Sequence, residues 1–415
     1  MKNKDGLLQT FCNFAVSAQR GEKRFKVVKE SIMTRGFSVI SFLVILAMVL
    51  LTSCSSGSDQ TESNLVEYSS GDEQQVPRGE IELGVWQDLT DRTYSVDKIK
   101  DWMEPFCKAG ITNFYICSSP EMITRFVKAA ESFDGVKIHA WIFALNACND
   151  PDALAHREWF EVNRLGENSL DNPPYVKIYK WLSPAVPEAR QWVKDKAAKY
   201  AAIDGLESVH LDFIRFNDLF LGRWSQERVF HIDQTTYEAK YDFGYHPKAI
   251  EAFKAKFGYS PLDLSAPWMS PEWNQFRMDE VTSLVNEISK ATHDQGKKIT
   301  AAVFPFPERA RMMVLQNWPA WNVDAVCAMN YHTMYLEQPE WHRFSIESGL
   351  QETHHRNKYV AGIFIHNIDG DEIYRIAKMS IEAGADGINF FSADPLKKGD
   401  KLKYVKKIKT ELCDN

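Results

Sequence analysis

The stretch GLESVHLDFIRF, residues 205–216, combines an apolar strand pattern with two charged side chains. Val209, Leu211 and Ile214 are typical of a buried strand, whereas Asp212 and Arg215 stand among them. Charged groups in apolar surroundings cost free energy unless they are paired or used. The place of this strand in the fold must therefore account for both charges.

From residue 81 onward, one pattern occurs eight times: a short apolar segment is followed by an amphipathic helical segment. The apolar segments are residues 81–88, 111–119, 136–146, 208–216, 297–305, 323–331, 358–366 and 386–393. Near-continuous apolar strands that alternate with helices are typical of a parallel sheet covered on both faces. Eight units predict a (β/α)8 TIM barrel over residues 81–413. A doubly wound open sheet is the alternative, although no glycine-rich phosphate loop follows the first strand.

The segment after the fourth strand, residues 217–271, is longer than most connections between a strand and a helix. Long loops near the mouth of a barrel usually shape or cover the cleft. The sequence therefore predicts a long insertion at this point, and a small subdomain that only packs on the rim is the alternative.

The first 54 residues have the pattern of a lipoprotein signal peptide. The uncharged apolar run Phe37–Leu51 is short for a membrane span, and LTSC, which ends at Cys54, resembles the lipobox of bacterial lipoproteins. The resemblance implies cleavage before Cys54, lipidation of its thiol and a membrane anchor in the bacterial cell envelope, with the outer membrane as the expected site. An uncleaved anchor is the alternative, and Met33 is a second candidate start. Residues 55–80 are polar and rich in serine and glycine, which predicts a flexible tether.

Charge and cysteine content narrow the classes of partner and cofactor. The chain has 49 basic and 56 acidic residues, and loss of the first 54 residues removes eight basic and three acidic ones, which leaves a net charge of −12. Since no basic stripe is visible, we expect no nucleic-acid partner.

The cysteines lack paired spacing, so a disulfide or zinc framework is not expected. A metal-dependent hydrolase that uses His139, His210, His332 and His366 is an alternative, but no close histidine ligand pair supports it, and we expect no metal or other cofactor.

The carboxyl ends of barrel strands usually carry the functional residues. In this sequence they are rich in carboxylates, aromatic rings and amides: Trp86, Asp88, His139, Trp141, Asp212, Arg215, Asn330, Tyr331 and Asp394. Carboxylates act as acid, base or nucleophile at a sugar acetal, and flat aromatic rings suit the apolar faces of sugars. We therefore expect a carbohydrate substrate, with Asp212 as a catalytic carboxylate and the other residues as substrate-binding groups. On the residues alone, a structural Asp212–Arg215 pair at the rim is an equally good interpretation.

The stretch around Asp212 also resembles the DG(I/V)HLDYIRYP signature of the glycosyl-hydrolase-like family 10, a family of bacterial glycosidases built on TIM barrels. Further pieces resemble the family in the same order: LGVWQD (83–88), IHAWIFALN (138–146), WLSPAVPEARQWV (181–193), KFGYSP (256–261), FRMDEVTSLVNEI (276–288), VDAVCAMNYHTMY (323–335) and AGADGINFFS (383–392). The resemblance implies glycoside hydrolysis, and it makes Asp212 the favoured catalytic carboxylate. Leu83, Asn217 and Ala328 depart from the arginine and the two prolines of the family pattern, which leaves the substrate preference open.

A two-carboxylate mechanism needs a partner for Asp212. Glu308, in the PFPER stretch after the fifth strand, is the first candidate, and Asp88, Asp394 and Asp218 are alternatives. A carboxylate at the position of Glu308 is also typical of the first turn of a helix. An N-acetyl group of the substrate could serve as nucleophile instead. The sequence thus predicts a glycosidase that uses Asp212 and Glu308, and a non-catalytic carbohydrate-binding lipoprotein on the same barrel is the alternative.

Overall fold

The computed structural model describes residues 79–414, which form a closed barrel of eight parallel strands. The strands are β1 (Glu82–Asp88), β2 (Asn113–Cys117), β3 (Lys137–Phe143), β4 (Ser208–Asp212), β5 (Lys298–Val303), β6 (Ala325–Ala328), β7 (Lys358–Phe364) and β8 (Gly387–Phe391). Each strand pairs with the next along the chain, and β8 pairs with β1 to close the barrel. The predicted (β/α)8 fold is confirmed, and each strand lies within its predicted segment. The predicted signal peptide, Cys54 and nearly all of the predicted tether lie outside the described residues.

Helices surround the barrel. The longer ones are α1 (Val96–Lys108), α2 (Pro120–Ala130), α3 (Pro187–Ala201), α4 (Pro247–Phe257), α5 (Pro271–His293), α6 (Pro307–Val314), α7 (Trp341–Thr353), α8 (Gly370–Glu382) and α9 (Lys401–Ile408). One-turn α-helical segments cover Pro151–Leu154, Arg223–Ser225, His332–Tyr335 and Ala393–Leu396. Within residues 79–414, no helix is long and apolar enough to cross a membrane.

The starts of several helices follow directly from the sequence. The side chains of Ser95, Ser119 and Ser270 each accept a hydrogen bond from a backbone N–H in the first turn of α1, α2 and α5. These serines satisfy donors that have no partner within the helix. Pro120 and Pro271 occupy the first helical position, where a missing N–H costs nothing.

Two apolar layers hold the barrel together. Successive side chains on a strand point to opposite faces, so Val85 joins the large core between strands and helices, whereas Trp86 points into the barrel. Inside, Trp86 packs with Tyr115, Trp141 and Cys327 in a separate cluster. This inner cluster lies directly beneath the carboxyl ends of the strands and forms a rigid base for any site there.

A chain of buried polar groups runs through the barrel interior. Nε1 of Trp86 donates a hydrogen bond to Nε2 of His210 at 3.1 Å, so Nδ1 of His210 carries the proton that it donates to Oγ1 of Thr300 at 2.8 Å. Thr300 contacts Oγ of Ser208 at 3.3 Å, and Ser208 contacts Nδ1 of His139 at 2.7 Å. Burial lowers the pKa of His210 to about 3, which keeps the ring neutral. The interior histidines therefore act as neutral, hydrogen-bonded packing groups.

Two long excursions extend over the carboxyl end of the barrel. The predicted one follows β4 and contains α4. Helix α4 packs against α5 in a small separate core, in which Phe253 of α4 contacts Trp273 and Phe276 of α5. The other, residues 144–186 between β3 and α3, has little regular structure and was not predicted as an insertion.

An internal ion pair fixes the β4 excursion to helix α5. Nη1 of Arg277 donates to Oδ1 of Asp242 at 2.8 Å, and both side chains are buried, with 1% and 0% of their surface exposed. The same Nη1 donates to the carbonyl of Phe243, and Nη2 donates to Asn274. Tyr245 donates its hydroxyl proton to the other Asp242 oxygen. The guanidinium group of Arg277 on α5 therefore donates hydrogen bonds both to the excursion, at Asp242 and Phe243, and to Asn274 on α5 itself.

Candidate active site

A pocket of about 220 Å³ opens at the carboxyl ends of the strands. Its base is formed by side chains from the ends of five strands: Trp86, Trp141, Asp212, Phe364 and Phe391. Its walls come from the two excursions and from the segments that follow β5 and β6. The position agrees with the face at which barrels of this class carry their sites.

Asp212, the last residue of β4, is held in one orientation at the base of the pocket. Its Oδ2 accepts a hydrogen bond from Nε1 of Trp141 at 3.0 Å, and its Oδ1 accepts one from the backbone N–H of Phe213 at 2.6 Å. Phe213 has a φ of 50°, a left-handed conformation that turns the chain sharply as the strand ends. The turn and the two donors keep the carboxyl group at the pocket surface.

Burial raises the pKa of Asp212 above its ordinary value of 3.8, and this effect outweighs the N–H donors and the nearby Arg215 charge, which act in the opposite direction. A carboxyl group with a raised pKa retains its proton at a pH at which a free aspartate has lost it. Asp212 is thus suited to donate a proton.

A second carboxylate, Asp218, lines the same pocket. Its Oδ2 lies 3.4 Å from Nη1 of Arg215, which also donates to the carbonyl of Phe216 at 2.8 Å. The guanidinium group lies over the rings of Trp181 and Phe304, each with its centroid at 5.0 Å. Arg215 therefore forms its ion pair with Asp218 and not with Asp212, its partner in the structural interpretation of the sequence.

Five of the sequence-predicted site residues come together in the pocket: Trp86, Trp141, Asp212, Arg215 and Tyr331. Nε1 of Trp86 is bonded to His210, so this tryptophan offers only its ring to a ligand. Tyr331 packs against the rings of Phe364 and Phe391, with centroids at 5.6 and 5.8 Å. The pocket thus has an aromatic base with two carboxylates in it.

Glu308, the predicted second catalytic carboxylate, does not line this pocket. It is exposed in the first turn of α6 and accepts a hydrogen bond from Ser348 at 3.4 Å. It borders a separate depression with Trp268 and Arg311. The chain enters α6 immediately at Pro307, which places Glu308 on the helix surface, and the helix-start interpretation therefore fits its position.

Asp88 and Asp394 lie near the rim but do not line the pocket either. Oδ1 of Asp88 accepts the backbone N–H of Thr90 at 2.8 Å, an interaction that closes a local turn. Asp394 forms an ion pair with Arg92 at 3.5 Å, and both side chains are more than 40% exposed. Each carboxylate has a structural partner outside the pocket.

His139 and Asn330 are buried and do not line the pocket. Nε2 of His139 lies 2.9 Å from Oδ1 of Asn113, and its other ring nitrogen contacts Ser208, so neither nitrogen is available to a substrate. The amide nitrogen of Asn330 donates to Ser345 at 2.6 Å and to Tyr359 at 3.0 Å. The expected substrate-binding role does not fit these positions, because both side chains are enclosed by the barrel and its helices.

Sequence reasoning ranked Asp218 low and missed several other pocket residues: Tyr179, Phe304, Met313 and Tyr335. Asp218 could have been ranked higher, because it lies six residues after Asp212, at the start of the predicted insertion, with Arg215 between them. For Tyr179, the unusual length of the segment between β3 and α3 was the available signal. Among the described residues, no cluster of histidine, cysteine or carboxylate side chains has the arrangement of a metal site.

The comparisons with known proteins support the fold. No family model matches the chain, and no curated protein matches it. The solved glycoside hydrolase domain of PgaB (BpsB) from Bordetella bronchiseptica is similar, with a TM-score of 0.56 and 14% identity over 79% of this chain and 98% of that one. The catalytic domain of a β-amylase from Paenibacillus polymyxa has a TM-score of 0.56 and 11% identity over 81% of this chain and 99% of that one. A β-galactosidase from the Antarctic haloarchaeon Halorubrum lacusprofundi has a TM-score of 0.53 and 11% identity over 79% of this chain, but only 57% of that longer chain is covered. At these identities the chain shares a barrel fold with glycoside hydrolase domains.

Proposed function

We propose that the protein is a glycoside hydrolase whose active site is the pocket that contains Asp212 and Asp218. The observation that carries the proposal is the placement of two carboxyl groups, in different environments, in one aromatic pocket at the carboxyl end of the barrel. Glycosidases use such a pair, one as acid and the other as nucleophile or base. The barrel fold shared with glycoside hydrolase domains is consistent with this chemistry.

Asp212 is the proposed general acid. Burial raises its pKa, and its hydrogen bonds to Trp141 and Phe213 fix the direction from which it approaches a glycosidic oxygen. Donation of the proton to that oxygen lets its bond to the anomeric carbon break, so the alcohol departs while the second carboxylate, or a water that it activates, forms the new bond to that carbon.

Asp218 is the proposed second carboxylate. Its ion pair with Arg215 favours the ionised form of the carboxylate. That negative charge would stabilise the positive charge that develops on the sugar ring. It acts either as nucleophile, which retains the anomeric configuration, or as the base that activates water, which inverts it. The aromatic side chains of Trp141 and Tyr331 would contact the apolar face of the sugar.

We further propose that the protein acts in the bacterial cell envelope, anchored through a lipid on Cys54. The proposal rests on the LTSC pattern and on the polar tether sequence that follows it. Incorporation of radiolabelled palmitate into the full-length chain, and its loss in Cys54→Ala, would test the anchor.

The functional proposal predicts which carboxylate works with Asp212. On a panel of 4-nitrophenyl glycosides, Asp218→Asn should lower kcat/KM by at least about 100-fold, since it loses the charge needed by a nucleophile or base. Glu308→Gln should change kcat/KM by less than about threefold, since an exposed side chain outside the pocket contributes little to the transition state. Initial rates of nitrophenolate release measure both effects.

A second measurement, rescue by azide, distinguishes a catalytic role of Asp218 from a structural one. In Asp218→Ala, added azide should restore turnover and yield a glycosyl azide, because the small anion fills the space left by the carboxylate. A merely structural Asp218 would not respond to azide. Loss of activity in Glu308→Gln together with full activity in Asp218→Asn would reject the assignment. Binding of a glycan without product release by the wild-type chain would favour the carbohydrate-binding alternative.

A further inference from the structure

The outer wall of the active-site pocket is predominantly apolar, although the proposed reaction concerns a polar sugar. Six residues form this wall, which we call the apolar collar: Val176, Ile178, Leu221, Trp224, Val229 and Phe230. Val176 and Ile178 belong to the excursion after β3, and the other four belong to the excursion after β4. The ring of Tyr175 packs against that of Phe230 with centroids 5.3 Å apart, so the two excursions meet at the collar.

The charged residues of the same segments do not line the pocket. Lys177, Arg223, Glu227 and Arg228 are all exposed, whereas their apolar neighbours are half-buried or buried. Arg223 pairs with Glu227 and with Asp233 at the surface. The two segments therefore direct apolar side chains to the pocket and charged side chains to solvent.

Polar groups in the pocket are concentrated at its base. Asp212, Arg215, Asp218 and Asn146 lie at or next to the strand ends, whereas the segments of the collar add one hydroxyl group, that of Ser225, and no ionisable group. Sugar hydroxyls need hydrogen-bond partners when they lose contact with water, and an unpaired buried hydroxyl weakens binding. The base suits one sugar ring, whereas the collar suits a neutral group without hydroxyls.

We propose that the substrate is a glycoside of a hydrophobic alcohol, with its sugar at the two carboxylates and its apolar aglycone against the collar. This inference rests on the proposed function, because it assigns the leaving-group side of the same site. Water that contacts the half-exposed collar is released when an apolar group covers it, which favours binding of such a substrate.

The test compares methyl and n-octyl glycosides of one sugar, the sugar most rapidly hydrolysed in the nitrophenyl panel. Methanol and octanol are leaving groups of similar acidity, so the ratio of their kcat/KM values reports contacts with the chain rather than bond chemistry. Below the micelle concentration, the wild-type protein should prefer the octyl glycoside by at least about tenfold. Val229→Asp and Ile178→Ser should each lower that ratio by about threefold or more.

Arg228→Ser is the matched control, because Arg228 lies beside Val229 but is exposed and does not line the pocket. This variant should keep the octyl-to-methyl ratio of the wild type, and thermal unfolding verifies that all variants are folded. Equal kcat/KM values for the two glycosides in the wild type would overturn the inference and leave the proposed function intact.

Binding of the same two glycosides, followed by tryptophan fluorescence with Trp224→Phe as reference, separates the two proposals. Tighter binding of the octyl glycoside without hydrolysis of either would reject the proposed function and support the apolar ligand class. No hydrolysis and no preference in binding would overturn both.

Discussion

Asp212→Asn should lower kcat/KM for glycoside hydrolysis by about 100- to 10,000-fold, the usual contribution of a positioned general acid. An asparagine amide cannot protonate a leaving-group oxygen, although it occupies nearly the same volume. The change removes an oxygen that accepts a hydrogen bond from Trp141 or Phe213, but it also removes a charge that burial disfavours, so we expect the free energy of unfolding to change by no more than about 1 kcal/mol. Initial rates and chemical unfolding, measured on the same preparation, separate the two effects.

The pH profile of the wild-type protein provides a second readout of Asp212. A general acid is active while it is protonated, and activity therefore declines as the pH rises through its pKa. Because burial raises the pKa of Asp212, the alkaline limb of kcat/KM should lie above the ordinary aspartate value of 3.8. Asp212→Asn should abolish that limb.

The control for this variant is Asp195→Asn, which replaces an exposed carboxylate on α3 that accepts a hydrogen bond from Gln191 at 2.8 Å. It should match the wild type in rate and in pH profile. A folded Asp212→Asn protein with full activity would show that the acid is another residue.

Arg277→Ala should lower the free energy of unfolding by about 3 kcal/mol, because the buried carboxylate of Asp242 loses its closest charged partner and keeps only Arg164, at 3.4 Å. Asp242 has no exposed surface, and Arg277 lies 2.8 Å from it. The substitution also deprives the carbonyl of Phe243 and the amide of Asn274 of a donor. Denaturant unfolding followed by circular dichroism measures the loss.

The matched control is Arg343→Ala on α7. Arg343 lies 3.0 Å from Glu382, at a distance similar to that of the buried pair, but the two side chains are 43% and 47% exposed. Exposed ion pairs typically contribute about 0–1 kcal/mol, so this variant should be nearly as stable as the wild type. Equal losses in the two variants would contradict the role assigned to the buried pair.

The strands could be predicted because their apolar pattern is local. Segments such as KITAAV and KYVAGIF are continuous, branched and bounded by polar residues, so each predicts a strand buried on both faces without knowledge of its neighbours. Residues 144–186 carry no such pattern. Their backbone is held by isolated bridges: three join residues within the segment, for example Phe160 to Leu182, and one joins Asn163 to Phe243 in the other excursion. Single bridges of this kind leave no periodic pattern in the sequence.

The candidate site was predicted in part, for a related reason. The period of two along β3 shows that His139 and Trp141 point the same way, but it does not give their depth, and only Trp141 reaches the pocket. Asp218 follows the turn at Phe213, and its place in the pocket depends on the left-handed backbone there, which no pattern of side chains in the sequence indicates. Glu308 was misplaced because the sequence shows that α6 follows β5 closely but not which side of its first turn faces the pocket.

The most direct test of the central claim is hydrolysis of an active glycoside in ¹⁸O-labelled water, followed by mass spectrometry of both products. A glycosidase that uses Asp212 and Asp218 breaks the bond between the anomeric carbon and the leaving oxygen, so the label should enter the released sugar and be absent from the alcohol. Label in the alcohol, or no product from any glycoside of the panel, would contradict the claim that this pocket is a glycosidase active site.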